Sequence, residues 1–215
     1  MSETTSKKRK LSLPLIVAGG VSSLVLALGM SPTFSAFTAQ ITNNANNASA
    51  GTLIMTETSG AVICNSNDAV PVGNTLGTTN AATCAIDKFG PNTPLYPGQY
   101  LTTTVTIKNS GTVTPTSFSL TPGTCTQALG TPNGGATLAC GKFNIKVYAG
   151  SSATGVALNA VGQQTPSTFT TALALTPPAP GATQDYTFWI QLDSSADNSF
   201  QGITINQPLV WKFQA

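Results

Sequence analysis

Alternation of apolar and polar residues is the dominant pattern along this 215-residue chain. Residues 99–108 carry an apolar face from Leu101 to Ile107, and threonine and lysine occupy the opposite face. Residues 142–148 and 185–192 alternate in the same way. Because successive side chains of a strand point to opposite faces, these segments predict half-buried antiparallel strands.

Weaker strand candidates and turn-forming clusters fill the rest of the chain. The candidates are residues 52–58, 61–64, 112–120, 168–175 and 203–214. Pro208 in the last segment cannot donate to a neighbouring strand, which indicates an edge or a bulge. Turn clusters such as Pro97-Gly98 and Asn109-Ser110-Gly111 separate the segments. The pattern predicts an all-β fold, a single antiparallel β-sandwich of jelly-roll or immunoglobulin-like type.

Residues 1–35 have the pattern of a signal peptide. Four basic residues, Lys7-Lys8-Arg9-Lys10, precede an uncharged apolar stretch and then small residues. The small-residue rule places cleavage between Ser35 and Ala36. The alternative is an uncleaved signal anchor, since about 20 apolar residues can span a bilayer. In both cases the domain is predicted outside the cell, secreted or at the surface, with the signal as its transient membrane contact.

Residues 36–50 combine one short strand with a flexible linker. Phe37, Ala39 and Ile41 fall on one face of that strand. The asparagine-rich and alanine-rich residues that follow have no periodicity and little to bury. This strand therefore needs a sheet edge, either in its own β-sandwich domain, residues 51–215, or in another molecule.

Charge is sparse once the signal is removed. Residues 1–35 hold four of the nine basic and one of the seven acidic residues, so five lysines face six acids. No basic stripe is left for phosphate contacts, which excludes nucleic acid as a partner. Weak repulsion between copies favours their association, although a secreted protein adapted to its surroundings is an equal alternative.

Four cysteines follow the signal: Cys64, Cys84, Cys125 and Cys140. An even number in an exported chain predicts two disulfides. Three pairings are possible, and the local pairing (Cys64 with Cys84, Cys125 with Cys140) is favoured because each bond closes a turn-rich loop. Zinc is the alternative, but the chain has no C-x-x-C motif and no histidine. No metal or other cofactor is expected.

Catalytic chemistry has few candidates. The absence of histidine excludes Ser-His-Asp and Cys-His catalysis. The spacing of the six remaining carboxylates does not indicate a glycosidase pair, and roles at strand ends or in turns are expected instead. Residues 193–198 could bind calcium, but an ordinary turn is favoured. The chain is therefore predicted not to be an enzyme.

Several blocks of this sequence resemble the TasA/camelysin family of exported fibre proteins. They are Thr33-Phe34-Ser35-Ala36-Phe37, Ala50-Gly51-Thr52-Leu53, residues 95–101 running into 107–111, residues 198–203 and Trp211-Lys212-Phe213-Gln214-Ala215. The match covers both ends and one central strand. The four cysteines and the low charge depart from the better-known members.

The resemblance implies a jelly-roll sandwich, cleavage by a SipW-type signal peptidase and assembly into extracellular filaments. In that family the freed N-terminal strand inserts into the next subunit, and the matching residues here are Phe37, Ala39 and Ile41. The protein would then be its own partner in a head-to-tail homopolymer of the biofilm matrix. The alternative is a monomeric surface or matrix-binding module. The camelysin name also implies protease activity, which the lack of histidine disfavours.

Overall fold

In the computed structural model, the described residues are 48–68, 80–91, 93–131, 134–159 and 164–215. They form ten strands, all within the unit Ser49–Ala215. The strands are β1 (Met55–Ser59), β2 (Val62–Asn65), β3 (Tyr100–Asn109), β4 (Ser117–Pro122), β5 (Thr126–Ala128), β6 (Phe143–Ala149), β7 (Leu173–Leu175), β8 (Thr183–Leu192), β9 (Thr204–Asn206) and β10 (Leu209–Gln214). Two 3-10 turns, Ala139–Gly141 and Asn198–Phe200, are the helical elements of this part of the chain.

The strands form antiparallel sheets. The larger sheet has the order β2-β1-β3-β8-β6, the second has the order β10-β4-β7, and β5 pairs with β9 in a two-stranded ribbon. At the centre of the larger sheet, β3 and β8 pair over nine residue positions, with Leu101 opposite Ile190 and Val105 opposite Tyr186. This register places the apolar face of each strand on the same side of the sheet.

An aromatic core joins the two main sheets. Phe118 of β4 meets Tyr186 of β8 edge to face at 5.9 Å between ring centroids. Trp211 of β10 lies 5.1 Å from Tyr186 and 6.0 Å from Phe188. Val105 belongs to the same core cluster and is fully buried. Because side chains from both inner faces interdigitate, the fold is a β-sandwich, as the sequence predicts.

The three regular segments predicted as strands correspond to β3, β6 and β8. Three other predictions need correction. Residues 203–214 form two strands and not one, because the chain leaves the β5 ribbon at β9 and Pro208 interrupts it before β10. The strands predicted from residues 112 and 168 begin only at Ser117 and Leu173. The ribbon strand β5 was missed, since three residues are too few to show alternation.

Turn chemistry fixes both ends of β3. Before it, Gly98 has a φ of 84°, and the Gln99 N–H donates to the Tyr96 carbonyl at 2.9 Å, which closes the predicted Pro97-Gly98 turn. After it, the buried Asn109 side chain accepts from Gly111 N–H at 3.0 Å and donates to the Pro178 carbonyl at 3.0 Å. A Cβ at position 111 would collide with the Thr52 carbonyl oxygen, so only glycine fits there.

The outer edge of β6 is covered by the loop that follows it. Leu158 N–H donates to the Val147 carbonyl at 2.7 Å, and Ile145 N–H donates to the Gln164 carbonyl at 2.6 Å. The buried Asn159 side chain accepts from Val147 N–H and donates to the Ile145 carbonyl. A loop thus satisfies the backbone groups that another strand would otherwise pair with.

Candidate functional site

A long groove runs along the β10 edge of the three-stranded sheet. Its volume is about 1520 Å³, and its walls include Met55 of β1, Leu192 of β8, the loop before β3 and residues 209–213 of β10. Small-molecule sites usually measure about 300–1,000 Å³. The groove is therefore large enough for an extended peptide segment.

The strand β10 forms one wall of the groove and has an open edge. Gly123 N–H donates to the Pro208 carbonyl at 2.7 Å, and Thr116 N–H donates to the Gln214 carbonyl at 2.7 Å. Backbone groups of antiparallel strands alternate between the two neighbours. The backbone N–H and C=O groups that point away from β4 are therefore those of Leu209, Trp211 and Phe213. This edge has no strand partner among the described residues.

The same three residues turn their side chains toward the core, yet each is only half-buried. Leu209, Trp211 and Phe213 pack against the core cluster from the groove side, while Val210 and Lys212 face solvent. A groove that exposes apolar side chains beside a strand edge with no partner in the described part of the chain has the features of a site for strand addition.

A buried ion pair lies in the groove wall. Lys88 Nζ is 2.6 Å from Glu57 Oε1, and both side chains are 8% exposed. Trp211 Nε1–H donates to the same carboxylate oxygen at 2.9 Å. Since Glu57 is on β1 and Trp211 on β10, this cluster joins the two sheets through a charge-assisted hydrogen bond.

Another part of the groove wall belongs to the loop between β2 and β3. The disulfide Cys64–Cys84 ties this loop to β2, with Cα atoms 5.8 Å apart. Beyond it, Ile86 is buried in the core and Phe89 is half-buried against it. The disulfide and these two apolar contacts hold Lys88 at the groove.

Gln207 anchors the chain just before β10. Its Nε2 donates to the carbonyls of Gly123, Pro166 and Phe169 at 2.9–3.0 Å. Its Oε1 is buried without a hydrogen-bond partner among the described residues. This amide fixes the start of β10 relative to two loops.

The predicted donor-strand residues Phe37, Ala39 and Ile41 lie outside the described residues, as do Ser35 and Ala36 at the predicted cleavage position. The structure does contain the two predicted disulfides in the local pairing, Cys64–Cys84 and Cys125–Cys140. Disulfides are typical of proteins in oxidising, extracellular surroundings.

Carboxylates in this part of the chain mostly serve local structure. Asp193 accepts from the Ser195 hydroxyl and N–H, and Asp197 does the same with Ser199. Hydrogen bonds from these serines lower the pKa of both carboxyls. Glu57 is different, because it lies in the middle of a strand and not at the strand end or turn that the sequence suggested. Among the described residues, three or more metal-ligating side chains do not come together.

The groove and its ion pair were not predicted from the sequence, which indicated only an edge or a bulge at Pro208. The position of Glu57 could have indicated a buried charge, since it shares the inward face of β1 with Met55. The sequence around Lys88 gives no such indication, because the loop that contains it has no periodicity.

Comparison of the chain with protein-family models finds no match, and neither does comparison with curated proteins. No helix of the described residues has the length and apolar character needed to cross a membrane.

Proposed function

We propose that this protein is an exported structural subunit that assembles into extracellular filaments by donor-strand exchange. The N-terminal strand of one copy, with Phe37, Ala39 and Ile41 on its apolar face, would enter the groove of the next copy. It would pair with the open edge of β10. The linker that ends near residue 50 would span the distance between subunits.

The observation that carries this proposal is the coincidence of an open β10 edge with a half-exposed apolar row. Leu209, Trp211 and Phe213 offer both their backbone groups and their side chains to an incoming strand. The apolar face of residues 37–41 has the same two-residue spacing. Burial of Phe37 and Ile41 would contribute about 3–6 kcal/mol before the costs of ordering the tail.

Three further features support the proposal. The resemblance to the TasA/camelysin family implies the same mode of assembly. The disulfides fit an extracellular site of action. The low charge of the chain keeps repulsion between copies weak. Because groove and tail are different surfaces, the contact is heterologous and generates an open polymer.

The test is filament formation by the secreted protein. A variant that lacks residues 37–42 is expected to remain a folded monomer, because it has a groove but no strand to donate. Negative-stain microscopy and light scattering over a concentration series would measure assembly, and N-terminal sequencing would establish where the signal is cut.

Matched point variants sharpen this test. Phe37→Asp with Ile41→Asp should abolish filaments by placing charges on the inserted face. Thr38→Asp with Thr42→Asp adds the same charge to the opposite face and should preserve most assembly. If the deletion variant still formed filaments, donor-strand exchange would be wrong.

A monomeric surface or matrix-binding module is the second candidate. In that case residues 37–42 would fill the groove of their own subunit, and the secreted protein would scatter light as a monomer at every concentration. A camelysin-like protease is a third candidate, which casein cleavage with and without a chelator would test.

A further inference from the structure

We propose that Trp211 sets the register of the inserted strand, because the fixed indole accepts only a small side chain opposite it, and that Ala39 is this side chain. The inference rests on the proposed donor-strand exchange and adds which residues must meet. It identifies Trp211 and Ala39 as the specificity-determining pair of the joint between subunits.

Trp211 is held in place from several sides. Its Nε1–H donates to Glu57 Oε1 at 2.9 Å, and Lys88 Nζ lies 2.6 Å from the same oxygen. The ring also packs against Phe118, with centroids 5.6 Å apart, and against the two β8 aromatics described above. To swing away from an incoming side chain, the indole would have to leave its hydrogen bond to a buried carboxylate, which is costly. Trp211 is therefore a fixed bulk in the middle of β10.

The two rows of side chains are complementary in size. Along β10, the large Trp211 lies between Leu209 and Phe213. Along the donor segment, the small Ala39 lies between Phe37 and Ile41. When all three positions of both rows face one another, Ala39 is opposite Trp211 whether the strands run parallel or antiparallel. The prediction therefore does not depend on the direction of insertion.

Other registers are disfavoured. A shift by one residue turns the apolar face of the donor toward solvent. A shift by two places Phe37 or Ile41 against Trp211 and leaves one large side chain of each row without a partner. Overpacking of this kind is destabilising in a close-packed interior.

The experiment measures the critical concentration for filament formation by the secreted full-length protein and its Ala39 variants. Ala39→Phe is expected to raise this concentration at least about tenfold, equivalent to about 1.4 kcal/mol per joint. Ala39→Gly should have a smaller effect. Thr38→Phe adds the same ring to the outward face and is the matched control, with a change expected to be below about threefold.

Compensation provides the second readout. Removal of the indole in Ala39→Phe/Trp211→Ala should restore at least half of the lost assembly, and Trp211→Leu replaces Trp211→Ala if the latter does not fold. Ala39→Phe alone keeps an intact groove, so it should still accept wild-type tails and shorten wild-type filaments when mixed with them.

The register inference would be overturned if Ala39→Phe assembled at the wild-type concentration, or if Thr38→Phe were equally impaired. Neither result would touch donor-strand exchange, which is judged separately by deletion of residues 37–42. Filaments formed by that deletion variant would remove the basis of both proposals.

Discussion

Two opposite charges, Glu57 and Lys88, are placed where most β-sandwiches have only apolar side chains. Each is 8% exposed, and Glu57 also accepts from Trp211. Transfer of the two charges from water into this site is expensive, and their attraction and hydrogen bonds offset the cost only while both are present. The loss of one partner should therefore matter more than the loss of both.

We predict that Lys88→Met destabilises the fold by about 3–5 kcal/mol, because it leaves the Glu57 carboxylate buried without a counter-charge. The double variant Glu57→Gln/Lys88→Met should recover most of this loss, since the glutamine oxygen still accepts from Trp211. Urea denaturation followed by fluorescence measures both. If Lys88→Met cost less than about 1 kcal/mol, the pair would be behaving like an exposed surface ion pair.

One residue of this cluster, Glu57, could be predicted from the sequence as a buried charge. A glutamate in phase with Met55 is recognisable as a charge on the inward face of a strand. Its partner lies in a loop without periodicity, and Trp211 comes from the last strand. Contacts between such distant segments depend on how the sheets pack, which alternation does not encode.

Strands show how far alternation alone can predict this fold. The long strands β3 and β8 pair over nine residue positions and read clearly in the sequence. Short strands read less clearly, since β5 was missed and β7 was predicted as the longer segment 168–175. The split of residues 203–214 follows from Pro208, whose position the sequence did identify as an edge or a bulge.

The edges of β6 and β10 differ in how they are covered. The first is covered by the loop around Asn159, and the second is open among the described residues. Exposed edges recruit other chains, so a subunit that joins by one edge benefits from protection of another.

We predict that Asn159→Ala lowers stability by about 1–3 kcal/mol, because Val147 N–H and the Ile145 carbonyl lose their partner. The uncovered β6 edge should also promote irregular aggregation, which light scattering would detect. Ser152→Ala in the same loop is the control, since Ser152 bonds Thr154 at the exposed surface. Equal behaviour of the two variants would contradict a protective role for Asn159.

Across the whole molecule, the two disulfides differ in what they hold. Cys64–Cys84 ties down the loop that forms a groove wall. Cys125–Cys140 joins the residue before β5 to the 3-10 turn Ala139–Gly141, and neither of these two cysteines lines the groove. The sequence predicted both bonds from the compartment and the loop composition. It did not show that one of them borders the groove.

We predict that removal of either disulfide, in Cys64→Ala/Cys84→Ala or in Cys125→Ala/Cys140→Ala, lowers the free energy of unfolding by about 3 kcal/mol. The two losses are similar because the two bonds close loops of similar length. Only the first variant should also assemble poorly, since it loosens the wall that carries Lys88. Thermal denaturation and filament yield, the latter measured well below both melting temperatures, separate the two effects. Equal loss of assembly in both variants would argue against a role for the β2–β3 loop in the joint.

The open edge of β10 has a consequence for the shape of any assembly built on it. A molecule with one acceptor and one tail can bind two neighbours at most, so growth gives unbranched threads. Their two tips are chemically unlike: one shows a vacant trough, the other an unclaimed tail. Such a thread has a direction, and each tip can be recognised, anchored or stopped independently of the other.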